Sequence, residues 1–559
     1  MAFLVSPGIQ VKEIDLTNVV PSTSSTIGAM AGAFQWGPCE EITTVSSETE
    51  LVDKFGKPDA YTFESVLTAA QFLSYGSALK VVRAVKATAR NATASGTGIL
   101  AKNDDHFSTL TIAAGDWVMA RHPGVTGTAL TVEVATLASS WNGSASWKTW
   151  TESAPGTSTG AAAVGGSNDE IHVVIRDKDG AITGTVGEVL EVFAHLSQAS
   201  NVKDTDGTNL YYKDHINANS KLIRIGNHPA ALTDAGTSAV GKAFTQANVA
   251  TVSLTGGIDD NALTVGETTA QYAKFADAET VDVSLVFQAN SGLSAADNIT
   301  LSNHITALCA ARKDAVGFVS PERAATANAA APYTAVTAWR TGCTSTSYGF
   351  ADSSSLYVYD KYEDVYRYIC AAGSTAGLAA NADTVADAWF SPAGFTRGNV
   401  RNVTKLAYNP NQADRDTLYK QGVNPIVTFP GSGTVLFGDK TLQNKPSAFD
   451  RINVRRLFIV LEKAVSTASK ASLFEFNDEF TRAQFRNMVE PFLRDVKGRR
   501  GITDFKVVCD GTNNTGAIID TNKFVADIYV KPARSINYIT LNFIATRTGV
   551  EFSEIAGGN

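Results

Sequence analysis

Between Ile27 and Phe34 the chain reads Ile-Gly-Ala-Met-Ala-Gly-Ala-Phe, a short continuous apolar run of the kind a fully buried strand shows, and Trp36-Gly37-Pro38 closes it with a turn. Residues 48–55 then predict a short helix and residues 62–75 a second, with Phe63, Val66, Leu67, Ala70 and Leu73 on one face; the β-branched segment 80–85 predicts a strand. The same mixed texture returns after residue 252. Segments 283–287 and 315–320 read as strands on either side of a helix at 295–312, and a Tyr-rich stretch at 356–368 precedes a helix-like stretch at 371–390. Helices are also expected at 455–466 and 478–497. The second has Asn477 as N-cap, Phe485, Met488, Val489, Phe492 and Val496 as its apolar stripe, and Pro491 as a kink or break. Strands are expected at 505–508, 524–530 and 538–545.

These patterns define a multidomain chain, α+β to α/β in class. Residues 1–22 form an N-terminal extended arm. Residues 23–95 and 253–409 are the two parts of an α/β core, separated by a variable, mostly β surface insertion at 96–252 that is rich in Ala, Gly, Ser and Thr, with strands at 130–134 and 171–175. Residues 410–546 make a C-terminal α/β domain and 547–559 a C-terminal extended arm. Both ends carry short alternating stretches, at 9–12 and 548–555, that have no partner in their local sequence. A lone strand of that length is stable only when it pairs with something, so both ends are candidates for strand addition to a neighbour.

Composition narrows the function classes. The chain has 559 residues, 44% hydrophobic and 18% charged, enough for three or four domains with cores that need no staples. No run approaches the roughly 18 apolar residues of a membrane span, and the start lacks a basic leader, so a cytosolic product without a cleaved signal is expected. The five cysteines, Cys39, Cys309, Cys343, Cys370 and Cys509, show no pairing pattern and are expected as reduced core thiols. Net charge is −8, which argues against general nucleic-acid binding. Its distribution is uneven: residues 91–260 carry 10 Lys+Arg against 17 Asp+Glu, whereas residues 451–534 carry 15 against 10, suggesting surfaces meant for different neighbours.

Motifs with chemical meaning fail on context. Gly236 to Lys242 has phosphate-loop spacing, but Ala243 stands where the magnesium hydroxyl belongs and no strand precedes it. Gly96 to Ala101 and Gly156 to Gly160 match dinucleotide and nucleophile-elbow spacings by letters alone, in sequence that predicts loops. The seven histidines are dispersed between His106 and His304, and the Asp177/Asp179 and Asp204/Asp206 pairs read as turns. No catalytic residue, metal ligand or cofactor site is expected.

Several blocks resemble the tail sheath proteins of contractile-tailed, T-even-like bacteriophages: SPGIQVKEIDL, AGAFQWGPCEEI, DKFGKP, QFLSYGSALKVVRAV, FNDEFTRAQFRNMVEPFLRDVKGRRGI and FVADIYVKPARSINYITLNFIATRTGVEFSEI. The resemblance covers about residues 1–90 and 255–559. It implies a virion structural protein, assembled in the host cytoplasm, that stacks as hexameric rings in an extended, metastable helical sheath. Contraction of the sheath drives the tube through the host envelope for genome ejection; a sheath of a related contractile injection system or pyocin is the alternative. It implies arm strands at Gly8-Ile9-Gln10-Val11-Lys12-Glu13-Ile14 and Thr548-Gly549-Val550-Glu551-Phe552-Ser553, received by Phe524-Val525-Ala526-Asp527-Ile528-Tyr529-Val530 and Tyr538-Ile539-Thr540-Leu541-Asn542-Phe543 of neighbouring subunits. Charge asymmetry and family position together make Arg482, Arg486, Arg494, Lys497, Arg499 and Arg500 candidates for a tube-facing surface. The implied partners are further copies of the chain, the tail tube protein, and baseplate and tail terminator proteins, with neither direct nucleic-acid binding nor membrane insertion.

Overall fold

The apolar run at Ile27 forms the strand Gly28–Gly32 inside a seven-stranded sheet ordered Val423–Asn424, Gly349–Asp352, Val316–Val319, Leu285–Phe287, Gly28–Gly32, Leu79–Arg83, Ile42–Val45. The computed structural model that shows this describes residues 25–249, 251–290, 292–327 and 329–537. All neighbouring strands are parallel except the last pair. Side chains along a strand point to alternate faces, and a mostly parallel sheet needs cover on both. Met30, Val81, Phe287, Phe318 and Phe350 pack on one side and Ala29, Ala31, Val82, Val286 and Ala351 on the other. The helices Phe63–Leu73 and Ala372–Val385 cover the first face, while Val265–Tyr272, Ala295–Arg312 and Pro332–Gly342 cover the second.

Helix Phe63–Leu73 is buried on more than the expected stripe: Ala69 and Phe72 are fully enclosed, whereas Phe63 and Leu73 are only partly so. It lies between the sheet and helix Ala372–Val385, whose small residues permit close approach. A Cβ at Gly373 would stand 2.4 Å from the Thr68 carbonyl oxygen, so only glycine fits that contact.

The insertion leaves and re-enters the core side by side, through bridges between Arg90 and Ile258 and between Thr93 and Thr255. It contains an antiparallel sheet ordered Val189–Ser197, Glu170–Asp177, Leu130–Ala135, Val252–Ser253, with a separate core that includes Trp117, Val132, Ile175 and Tyr212. Short helices, among them Ala145–Trp150 and Tyr212–Asn219, accompany these strands. Fully buried Arg83, at the end of a core strand, ties the two parts together by donating to the carbonyls of Gly37 (3.0 Å), Gln35 (3.1 Å) and Pro123 (2.8 Å).

The described chain groups into two units, one ending at Leu473 and the other starting at Phe474. This boundary falls inside the segment 410–546. Val423–Asn424 extends the main sheet beside Gly349–Asp352, and helix Ile452–Ser469 packs Ile452 and Ile459 into the core of the larger unit. All five cysteines are free and buried; burial pushes the Cys343 thiol up to about 12 and raises those of Cys39, Cys309, Cys370 and Cys509. Among the described residues no helix is long and apolar enough to cross a membrane.

One buried carboxyl makes stability depend on pH. Asp352 is fully enclosed at the end of its strand; burial pushes it up to about 7 against the opposing hydrogen bonds from the Ser320 hydroxyl (2.5 Å) and the Ser354 N–H (3.3 Å). A folded value above the unfolded one means the contribution is fully present below about pH 4 and is lost as pH rises through about 7. Urea unfolding between pH 5 and 8 should show the wild type losing more stability than Asp352→Asn, by up to a few kcal/mol. Equal slopes would show that Asp352 does not titrate in this window.

Candidate assembly surface

The smaller unit is organised by the helix Glu479–Gly498. Its N-cap is Asp478, whose Oδ1 accepts the Thr481 N–H at 2.8 Å, rather than the expected Asn477. Asn477 serves a different purpose: its amide donates to the Lys523 carbonyl at 2.8 Å and to Asn514 at 3.2 Å, tying the helix start to a distant loop. The helix continues through Pro491, where a kink or break was expected. Proline removes one intrahelical donor, and packing of Phe485, Met488, Val489, Leu493 and Val496 spans the gap; Leu493 takes the buried place expected for Phe492, which is half-buried.

Beside the helix, Ile502–Val508 and Asp527–Pro532 form a two-stranded antiparallel sheet, with Phe505 opposite Val530 and Val507 opposite Ile528. The strand expected at 524–530 thus starts at Asp527. Buried Asn514 explains the shift: its Oδ1 accepts the Val525 N–H at 2.9 Å and its Nδ2 donates to the Val525 carbonyl at 2.8 Å, so a side-chain amide replaces a ladder neighbour there. Among the described residues each strand has a neighbour on one side only. A two-stranded sheet is marginal by itself, and its free edges can accept further strands. The arm segments 8–14 and 548–553, and the second receiving segment 538–543, lie outside the described residues.

The six basic candidates separate into two groups. Arg482 and Arg486 are half-buried and hold the fold, Arg482 donating to Asn477 at 3.0 Å and Arg486 to the Cys509 carbonyl. Arg494, Lys497, Arg499 and Arg500 are exposed at the helix end. There Arg499 meets Asp495 at 3.6 Å and Lys497 meets Asp504 at 3.2 Å. Arg494 and Arg500 have no ion-pair partner among the described residues, leaving positive charge at this end. Cations also suit a helix C-terminus.

The motifs set aside on context are used in local structure. Lys242 pairs with Asp234 at 2.9 Å. Ser158 caps a one-turn helix through the Ala161 N–H and donates to Asp169 at 2.7 Å. The Asp177 carboxylate accepts the N–H groups of Gly180, Ile182 and Thr183, closing a turn. Sequence spacing did not foresee one polar cluster, in which Ser153 Oγ lies 3.3 Å from His195 Nε2 and His195 Nδ1 lies 3.3 Å from Glu170. Buried His172 accepts the His195 N–H (3.0 Å) and donates to the Ser153 carbonyl (3.0 Å), and Glu170 accepts the Gly156 N–H (2.8 Å). These bonds fasten the 151–156 loop over an irregularity in the insertion sheet. Among the described residues no group of three or more His, Cys, Asp and Glu side chains is placed to hold a metal ion.

A covered α/β body with an inserted β unit is joined in sequence to a small unit whose strand edges are unpaired among the described residues, an arrangement suited to assembly through added strands. The comparisons agree. Residues 25–84 match the tail sheath protein Gp18 domain III N-terminal region, residues 266–442 the phage tail sheath protein central domain, and residues 444–546 the phage tail sheath C-terminal domain. The chain is 33% identical over 690 residues to the tail sheath protein of Vibrio phage KVP40, covering 99% of this chain and 100% of that one. It is 32% identical to that of Enterobacteria phage T4, covering 99% of each. It shares its fold with a sheath tail protein from Listeria innocua (TM-score 0.56, 12% identity, 92% and 93% covered) and with the contracted helical sheath of the anti-feeding prophage (TM-score 0.51, 12% identity, 98% and 100% covered). The chain belongs to the phage tail sheath protein family and is a structural subunit of a contractile tail sheath.

Proposed function

We propose that this subunit is a virion component that builds stacked hexameric rings around the tail tube, held in an extended state until contraction, and that it does so without catalysis. The observation that carries the reading is identity of about one third to phage tail sheath proteins over essentially the whole chain. The small unit supplies physical support, because its two-stranded sheet has edges suited to arm strands of neighbours, the arms being residues 8–14 and 548–553 and the receivers 524–530 and 538–543. Each backbone hydrogen bond gained contributes about 0.5–1.5 kcal/mol net and fixes direction without fixing the angle between bodies. Bodies hinged in this way can exchange one set of polar contacts for another. A bias of a few kcal/mol per subunit between two packings, summed over many coupled copies, drives contraction without nucleotide. Copies of the chain, the tube protein, the baseplate and the tail terminator are the partners, and assembly takes place in the host cytoplasm. Purified protein should form helical tubes with six-fold end views in negative-stain electron microscopy; end views with another symmetry would refute the ring.

The tube faces the exposed end of helix Glu479–Gly498. Arg494, Lys497 and Arg499 converted together to Glu should weaken co-assembly with tube protein by on the order of tenfold or more, since several surface charges of about 0.2–1 kcal/mol each are reversed at once. Self-assembly without tube should persist. Co-sedimentation with tube protein reads both, and unchanged tube binding would remove this face from the interface.

A further inference from the structure

Three strongly exposed aromatic side chains in the smaller unit stand close together in sequence: Phe474 is 104% exposed, Phe476 85% and Phe480 76%. Phe474 also has a left-handed backbone, with φ 70°. Acidic Glu475, Asp478 and Glu479 interleave with the rings, and no Lys or Arg occurs between Lys470 and Arg482. Large exposed apolar side chains set among charges mark an interaction site.

The larger unit carries an unfilled counterpart. A groove of about 630 Å³ opens between helix Phe63–Leu73 and the strand pair Ser355–Asp360 and Lys405–Leu406, with Leu67, Ala70, Leu73, Val358, Tyr359 and Val403 among its walls. Its border is cationic. Lys361 lines it, paired with Glu48 at 3.0 Å, and Arg401 and Lys405 flank the lining residues 402–404, each lying over a tyrosine ring. Asp360 and Glu363, which flank the lining residues 359 and 361–362, are both taken up by Arg367.

We propose that the Phe474–Phe480 segment of one copy seats its rings in this groove of a neighbouring copy, with Glu475 and Glu479 against the Lys361, Arg401 and Lys405 border. The inference rests on the self-assembly described above, which places copies of the chain against one another. Knob and groove are different surfaces of one chain, both with an apolar centre and opposite in the charge beside it. Such heterologous contacts propagate into rings or open helical arrays, the geometry a sheath requires, and aromatic anchors in desolvated pockets carry much of an interface's energy.

Charge exchange tests it. Glu475→Lys with Glu479→Lys, or Lys361→Glu with Lys405→Glu, should each reduce sedimentable assemblies roughly tenfold through like-charge contacts, while native circular dichroism reports intact folding. A chain carrying all four substitutions should recover assembly; a chain as defective as either pair overturns the proposal. Independently, a benzophenone side chain at Phe476, activated in a mixture of isotopically distinct copies, should link between copies to peptides containing residues 67–73, 358–362 or 402–404. Links within one chain, links elsewhere or no links overturn the contact, and tubes in that same sample would leave the sheath reading standing.

Discussion

Asp383→Ala should destabilise the larger unit by about 3–5 kcal/mol, the cost of leaving a buried charge without its partner. The Arg456 guanidinium reaches both Asp383 oxygens, at 2.6 and 2.5 Å, and the Ala379 carbonyl at 3.1 Å, with both side chains about one-twentieth exposed. Ser25 Oγ, at the first described residue, donates to the same carboxylate at 2.5 Å. One ion pair therefore joins helix Ala372–Val385, helix Ile452–Ser469 and the root of the N-terminal arm. Equilibrium urea unfolding should show the loss as a lower midpoint. Asp383→Leu combined with Arg456→Met should recover much of it, because an apolar pair of similar volume carries no desolvation penalty. A change below about 1 kcal/mol in Asp383→Ala would mean that water reaches Arg456 and the pair is not closed.

Local patterns were legible wherever the chain alone decides them. The helices Glu48–Phe55 and Ala295–Arg312 have the expected bounds because Ser47 and Ser294 cap them, accepting the N–H groups of Glu50 and Asp297 at 3.2 Å each. Strands such as Gly28–Gly32 were legible because a strand buried on both faces is apolar throughout. What sequence could not place depends on distant partners. Val423–Asn424 reads as nothing in particular until it pairs with Gly349–Asp352, and that pairing carries residues 410–473 into the larger unit. Asn514 shortens the strand at Asp527 through a side-chain mimic of a neighbouring strand, which spacing does not encode. Phe474, Phe476 and Phe480 fall outside the apolar stripe read from spacing, and only the structure shows that they are exposed. The basic run from Arg482 to Arg500 was visible in composition, but only the structure separates the two arginines that fasten the fold from the four residues at the open end.

Removing residues 1–16 should abolish ordered assembly while leaving the folded bodies intact. The deletion removes the whole expected arm strand, 8–14, and none of the described core, which begins at Ser25 with its bond to Asp383. Several backbone hydrogen bonds of about 0.5–1.5 kcal/mol each are lost at every subunit junction. In the proposed exchange each subunit both gives and receives an arm, so the deficit repeats throughout the lattice. The folding free energy of a monomer should change little, since in the proposed exchange the arm strand pairs with a neighbouring copy and not with its own body.

Arm exchange as the link between subunits is tested most directly by negative-stain electron microscopy of purified full-length protein beside the chain lacking residues 1–16, at matched concentration, with circular dichroism on both. Tubes from the full-length chain and monomers of native circular dichroism from the truncated one are the predicted result. Identical tubes from both chains would contradict it.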